Sequence, residues 1–254
     1  PQDGDPSQDQ VRDEVEEREA QLQHHFANQL MREKPEGHIR LTAGNIGFLP
    51  QPAHAAKSRH FIESLQFFNT DIHLGTEPNI QWSELDAENQ WYERSKETLN
   101  RQSYKFGFNR NDHTNSRARQ IGGTFVVALQ EGQPRVFEKG EDTTQLGRWT
   151  WMRIQGRHGH FTRVISAYRP NKNTADAGSA YNQQQRYWRN VKKNFTCPLK
   201  LFDKQLQELL QEWLHAGDHI VLGIDCNEDA RSGAKMLRRL GMKDAILDLH
   251  PTQD

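Results

Sequence analysis

The sequence is poor in cysteine. Cys197 and Cys226 are its only two. Two thiols do not make a disulfide framework, and they fit a reducing compartment. No apolar run is long enough to span a bilayer, and no secretory leader pattern is recognisable, so an intracellular protein with no membrane partner is expected. An excess of charge is lacking too: 33 Lys and Arg stand against 34 Asp and Glu, for a net charge of -1. That excludes a global basic field as the attraction for a polyanion. Hydrophobic residues make up 34% of the 254, which allows one large α/β domain or two small ones around an adequate core. No repeat recurs at a fixed period, which argues against solenoids and propellers. The chain begins at Pro1 rather than Met, and it is expected to be a piece of a longer protein.

The charge that is present is unevenly placed. Residues 1–20 are strongly acidic. Residues 148–172 contain Arg148, Arg153, Arg157, Arg163, Arg169 and Lys172 and no acid. Residues 186–204 contain Arg186, Arg189, Lys192, Lys193, Lys200 and Lys204 against Asp203. Either run alone reads as a solvated face. Two in one half of the chain point to a phosphate-bearing partner, and Trp149, Trp151, Tyr187 and Trp188 among them would add aromatic contacts.

Residues 1–10 have the composition of a disordered segment. Residues 11–35 are helix-prone, with a thin apolar stripe of Val15, Leu22, Phe26 and Leu30, and Pro35-Glu36-Gly37 ends the pattern. Residues 1–37 are therefore expected to be a polar tail or linker and 38–254 the folded domain. Alternation and apolar runs predict strands at 39–43, 71–76, 122–129, 148–154, 161–168 and 220–224, with an edge strand at 104–108. Helical spacing predicts helices at 54–69, 85–99, 179–195, 199–215 and 234–240. The strands at 148–154 and 161–168 make a hairpin, whereas others alternate with helices. The mixture predicts an α+β fold, two packed mixed sheets flanked by helices.

The candidate site lies at strand ends. The run at 220–224 reads as a buried strand and stops at Asp225 and Asn227, where open sheets usually build their sites. Asn45 follows the first strand, Glu77 the second, and Tyr168 and Asn171 the hairpin. One such residue is background, but several that end different strands can converge on one cleft. The set suits phosphodiester hydrolysis. A carboxylate such as Glu77 binds Mg²⁺ or Mn²⁺ through oxygen. Asp225 can orient or deprotonate a water. Asn45 and Asn227 can hold phosphate or metal without adding negative charge, and Tyr168 can donate to a phosphate oxygen.

Five stretches in this order carry a resemblance. Thr42-Ala43-Gly44-Asn45-Ile46-Gly47, Asp71-Ile72-His73-Leu74-Gly75-Thr76-Glu77-Pro78-Asn79, Gly122-Gly123-Thr124-Phe125-Val126-Val127, Val164-Ile165-Ser166-Ala167-Tyr168-Arg169-Pro170-Asn171 and Gly223-Ile224-Asp225-Cys226-Asn227 resemble successive motifs of the endonuclease/exonuclease/phosphatase superfamily, the DNase I and apurinic-endonuclease fold. The last has one extra residue between Gly and Asp. The resemblance implies Glu77 as metal ligand, Asn45 as metal or phosphate ligand, and Asp225, Asn227 and Tyr168 as catalytic groups. It places Arg169, Asn171 and Asn79 at the bound phosphate or nucleic acid. It further implies Mg²⁺ or Mn²⁺, DNA as the leading partner, and by extension a nuclear setting. The superfamily's final strands and catalytic His have no counterpart here. His250 reads as a loop residue, so the domain is expected to be incomplete at its C-terminal end. Gly47 stands where many relatives carry a polar residue. The polar N-terminal helix ahead of such a domain resembles retroelement endonucleases that nick target DNA. An RNA nuclease, a phosphatase of the same fold, or an inactive binding domain remain the alternatives.

Overall fold

The computed structural model describes residues 34–49, 56–80, 91–93, 95, 104–108, 121–227 and 237–245. The tail expected before residue 34, the polar loop at 109–120, most of the helix at 85–99 and His250 lie outside them.

Among the described residues, eight strands form two four-stranded sheets. In the first, β1 (Leu41–Asn45), β2 (Ile72–Thr76), β3 (Tyr104–Phe108) and β4 (Thr124–Leu129) lie in the order β1-β2-β4-β3. β1 and β2 are parallel and joined by α1 (Ala56–Phe67), while β4 runs antiparallel to both β2 and β3. In the second, β5 (Val136–Glu141), β6 (Trp149–Gln155), β7 (Phe161–Tyr168) and β8 (His219–Asp225) lie in sequence order. β5, β6 and β7 are antiparallel neighbours, and β7 pairs in parallel with β8. Two helices connect that parallel pair, α2 (Ala180–Asn190) and α3 (Pro198–His215).

The sheets pack face to face, and their alternation is visible in the side chains. Ile72, Leu74, Val126 and Ala128 of the first sheet meet Met152, Ile154 and Val164 of the second. The outer face of the first sheet buries Phe106, Phe125 and Val127 against Ile62 and Leu65 of α1 and against Trp91. The outer face of the second buries Trp149, Ile165 and Ala167 against Phe202, Leu206, Leu210 and Trp213 of α3. All five β2 residues are buried because both faces are covered, and full burial contributes roughly 1.5–3 kcal/mol for each large apolar side chain. The helix ends are set locally. Ser179 caps α2 by accepting from the Asn182 amide at 3.2 Å. Pro198 opens α3. Gly217, at φ +82°, closes it, with Gly217 N–H donating to Leu214 and Asp218 N–H to Trp213, the Schellman arrangement.

Three expectations are corrected, and one strand is added to those expected. Strand β8 is only half-buried, with Val221 exposed, because it is an edge among the described residues. Strand β5 was not anticipated. Its residues Phe137, Glu138 and Lys139 are exposed, so no core face imprints a period of two. The helix expected at 179–195 stops at Asn190, and 191–197 is a turn with Lys193 at φ +50°. Lastly, the basic run at 148–172 is largely internal. Arg148, 1% exposed, lies against Asp142 at 2.6 Å. Arg153 and Arg163 share Asp218 at 2.9 and 2.8 Å. Trp149, Tyr187 and Trp188 are core residues, and Trp151 packs edge-on against Trp213. The acids that neutralise this run arrive from other elements.

Candidate active site

Strands β1, β2, β7 and β8 end at the same edge of the sandwich, and their terminal residues meet there. Asn45 closes β1. Its Nδ2 donates to Glu77 Oε2 at 3.0 Å and to Asp225 Oδ2 at 2.7 Å, so one amide bridges two carboxylates from two sheets. Its Oδ1 accepts from the Gly47 amide at 2.7 Å, which fixes the side chain. Asp225 also accepts from the Asn227 amide through Oδ1 at 3.1 Å. Asn227 Nδ2 donates to the Arg169 carbonyl at 2.8 Å and clamps the turns after β7 and β8 together.

A second set of contacts explains the paired glycines before β4. Gly122, at φ +86°, lies under the Tyr168 ring, and a Cβ there would fall 2.7 Å from Tyr168 Cε1. The Glu77 amide donates to the Gly123 carbonyl at 3.0 Å, and the Asn79 amide to the Gly122 carbonyl at 3.2 Å. Asn79 is buried with both ends of its side chain engaged, Nδ2 on the Gly47 carbonyl at 3.0 Å and Oδ1 on the Gly122 amide at 2.6 Å. Glu77, Asn79 and Asn227 adopt positive φ of +54°, +54° and +48°. Side chains rarely occupy that region, and here the surrounding hydrogen bonds hold them in it.

The electrostatics follow from this crowding. Burial, together with the nearby Glu77 charge, raises the Asp225 carboxyl above its ordinary value, against the opposing pull of the Asn227 amide and Asn45. Burial also pushes the Tyr168 phenol far up. Its hydrogen bond to Glu77 and the charges of Glu77 and Asp225 add to the shift, and Asn227 opposes it. Tyr168 is therefore a permanent O–H donor. Two carboxylates held on one amide, with no Lys or Arg ion-paired to either among the described residues, make a negatively charged cluster of oxygen ligands. That donor set fits a hard divalent cation. Among the described residues no three His, Cys, Asp or Glu group together as a metal cage.

The structure thus brings together Asn45, Glu77, Tyr168, Asp225 and Asn227. Others are placed differently from expectation. Asn79 braces the Gly47 and Gly122 turns, and its amide has no free end to offer a phosphate. The Arg169 guanidinium, expected at the phosphate, lies on Asp203 of α3 at 2.8 and 3.1 Å. Asn171 is exposed on the loop after β7. One residue was missed. A Cβ on Gly47 would lie 3.9 Å from Asn45 Oδ1 and 3.9 Å from Lys57 Nζ, so the first cation of α1 stands beside the cluster. Its place in the first turn of the helix after the Asn45 motif was the available signal.

No family model matches the sequence, and no curated protein matches it. Solved structures do. The APE2 catalytic domain of Xenopus laevis superposes with a TM-score of 0.53 at 15% identity, over 84% of this chain and 73% of that one. An AP endonuclease from Archaeoglobus fulgidus gives a TM-score of 0.50 at 18% identity, over 85% and 76%. The fold is the DNase I-like two-sheet α+β sandwich that these solved structures share. An endonuclease/exonuclease/phosphatase family protein from Leptotrichia buccalis, with a TM-score of 0.50 at 12% identity, covers 82% of this chain and 74% of its own. In this DNase I-like fold the two-sheet α+β sandwich presents the strand-end cluster at one edge. Among the described residues no helix is long and apolar enough to cross a membrane.

Proposed function

We propose that this chain is a phosphodiester hydrolase assisted by Mg²⁺ or Mn²⁺, and that its substrate is DNA. The observation that carries the reading is the meeting of Asn45, Glu77, Tyr168, Asp225 and Asn227 from strand ends of both sheets. Glu77, with Asn45 beside it, would hold the cation. When bound, such an ion polarises the phosphoryl oxygens and neutralises developing charge. The chain's own groups supply the rest. Asp225, with its proton affinity raised, is suited to orient an attacking water and take a proton from it. Tyr168 remains protonated and donates to a phosphate oxygen. Asn45 and Asn227 hold these groups in register without adding charge. Lys57 offers a cation to a non-bridging oxygen at the rim.

DNA is favoured over a small phosphomonoester by the second basic run, which stays at the surface, with Arg189, Lys192, Lys193 and Lys200 all exposed. The finer reading, a retroelement-type nicking enzyme, rests on the sequence resemblance, and a reverse-transcriptase pattern in the parent reading frame would support it. The direct test is nicking of supercoiled plasmid with Mg²⁺, with and without chelator, beside Glu77→Gln and Asp225→Asn. Nicking that needs the metal and both carboxylates is expected. Nicking unaffected by either substitution would overturn the assignment.

A further inference from the structure

We propose that the turn between α2 and α3 is a landing site for single-stranded nucleic acid, with Phe195 as the stacking platform. The inference deepens the nuclease reading by naming the form of the strand beyond the cleft.

The topology sets the position. α3 precedes β8 and packs along the outer face of its sheet. Its last residues feed the start of β8, so its first residues lie at the edge where β8 ends. The Arg169–Asp203 pair confirms this by joining the end of β7 to the second turn of α3. The 191–197 turn, immediately before α3, therefore stands at the active-site edge. Lys172, on the loop that follows β7, is near enough to act electrostatically on the Cys197 thiol, which places that loop beside the turn.

The chemistry of the turn suits an unpaired strand. Phe195 is 77% exposed, and Val191 at the start of the turn is 56% exposed. A phenyl ring in water is unfavourable by itself, yet the backbone around it is held in place. The Asn194 amide donates to the Trp188 carbonyl at 2.8 Å, and the Thr196 amide to Asn194 Oδ1 at 2.9 Å. Tyr181 Oη contacts Cys197 Sγ at 3.7 Å, tying the end of the turn to α2. The turn itself carries Lys192 and Lys193, Lys200 lies in the first turn of α3, and Lys172 is on the loop that acts on Cys197; all four are exposed and none is paired with a carboxylate among the described residues. Lys192 sits 6.0 Å from the Tyr187 ring centre, which limits its range. Aromatic faces with surrounding lysines bind single strands because an unpaired base has a free face to stack while the lysines neutralise phosphates. A duplex offers no such face within its stack, so Phe195 adds nothing to duplex binding.

The test is binding of a fluorescent single-stranded DNA oligonucleotide of about a dozen nucleotides, long enough for the turn and its flanks, and of the matching duplex. Chelator is present, so binding is read without turnover. Phe195→Ala is expected to weaken single-strand binding roughly 5- to 100-fold, to leave duplex binding unchanged, and to leave the melting temperature unchanged because the ring is exposed. Phe195→Trp keeps the affinity. Lys192→Gln with Lys193→Gln lowers the slope of log K on log salt by roughly 1.4, the value for two phosphate contacts on a single strand. Equal single-strand affinity for wild type and Phe195→Ala would overturn the inference. So would a wild type that binds only duplex, or a Phe195→Ala effect reproduced with duplex. Plasmid nicking, measured separately, decides the nuclease reading. Nicking with no Phe195 effect on binding sinks only the strand site, and absent nicking with intact single-strand binding sinks only the hydrolase.

Discussion

Asn45 at the end of β1 donates to Asp225 at the end of β8 across the boundary between two sheets, at 2.7 Å. That bond needs the sheets to approach closely, and Gly223 permits it. A Cβ at Gly223 would fall 2.9 Å from Leu74 Cδ1 and 3.2 Å from the Ala43 Cβ. Gly223 therefore has no side chain because the opposing sheet occupies the space.

Gly223→Val should separate the two halves of the site. The overpacking is expected to destabilise by about 1–3 kcal/mol, read by urea denaturation. Plasmid nicking should fall about 100-fold at a temperature where the variant remains folded, since misplacement by about an ångström has that effect. A lowered stability with an unchanged nicking rate would show that Asn45 and Asp225 need not meet.

The like charges of Glu77 and Asp225 predict a split between stability and activity. Asp225→Asn removes a partly buried carboxylate raised by burial and by Glu77. Its melting temperature should hold or rise while nicking falls by about 10²–10⁴. Millimolar Mg²⁺ should raise the melting temperature of the wild type, because a ligand that binds the folded state stabilises it. Glu77→Gln should abolish that rise. A full Mg²⁺ shift in Glu77→Gln would move the cation site elsewhere.

How far the sequence disclosed this arrangement depended on whether the determinant was local. Asn45, Glu77, Tyr168, Asp225 and Asn227 each follow an apolar run, so strand ends could be read directly, and the parallel pairing of β7 with β8 brings Tyr168 opposite Asp225. The fate of the basic residues was not local. Arg148 finds Asp142, Arg163 finds Asp218, and Arg169 finds Asp203, and a window without acids cannot reveal partners from other elements. Asn79 shows the same limit. Its motif position suggested a ligand, but its use depends on Gly47 and Gly122, which are remote in sequence and close in space. β5 left no signal because its exposed edge residues obey no burial period.

Tyr168→Phe should lower kcat about 100-fold, the order measured when one preorganised donor is removed from a developing oxyanion. KM should change little. The phenol is held protonated by burial first and then by Glu77, so it does not ionise in the working range. The pH–rate profile of Tyr168→Phe should keep the wild-type shape at lower height. An alkaline limb present in the wild type and absent from the variant would show that Tyr168 titrates.

His73 predicts an acid weakness in the fold itself. It lies on β2 with Nδ1 2.8 Å from Thr42 Oγ1, its Nε2 is buried without a partner, and its ring meets Phe61 and Phe125. Burial lowers its pKa from 6.5 to about 4. Between those values the unfolded chain binds a proton that the folded chain refuses, so stability rises with pH across the window. The contribution is whole above pH 6.5 and lost as pH falls toward 4, where the loss from this one group reaches about 3 kcal/mol. Urea denaturation at intervals from pH 7.5 to pH 4 should show it. His73→Leu should flatten that part of the curve whatever it does to stability at neutral pH, because the group that distinguishes the two states is gone. An equally steep fall in His73→Leu would assign the acid sensitivity to the carboxylates, beginning with Asp218, whose pKa is lowered by its hydrogen bonds to Arg153 and Arg163 against the opposing effect of burial.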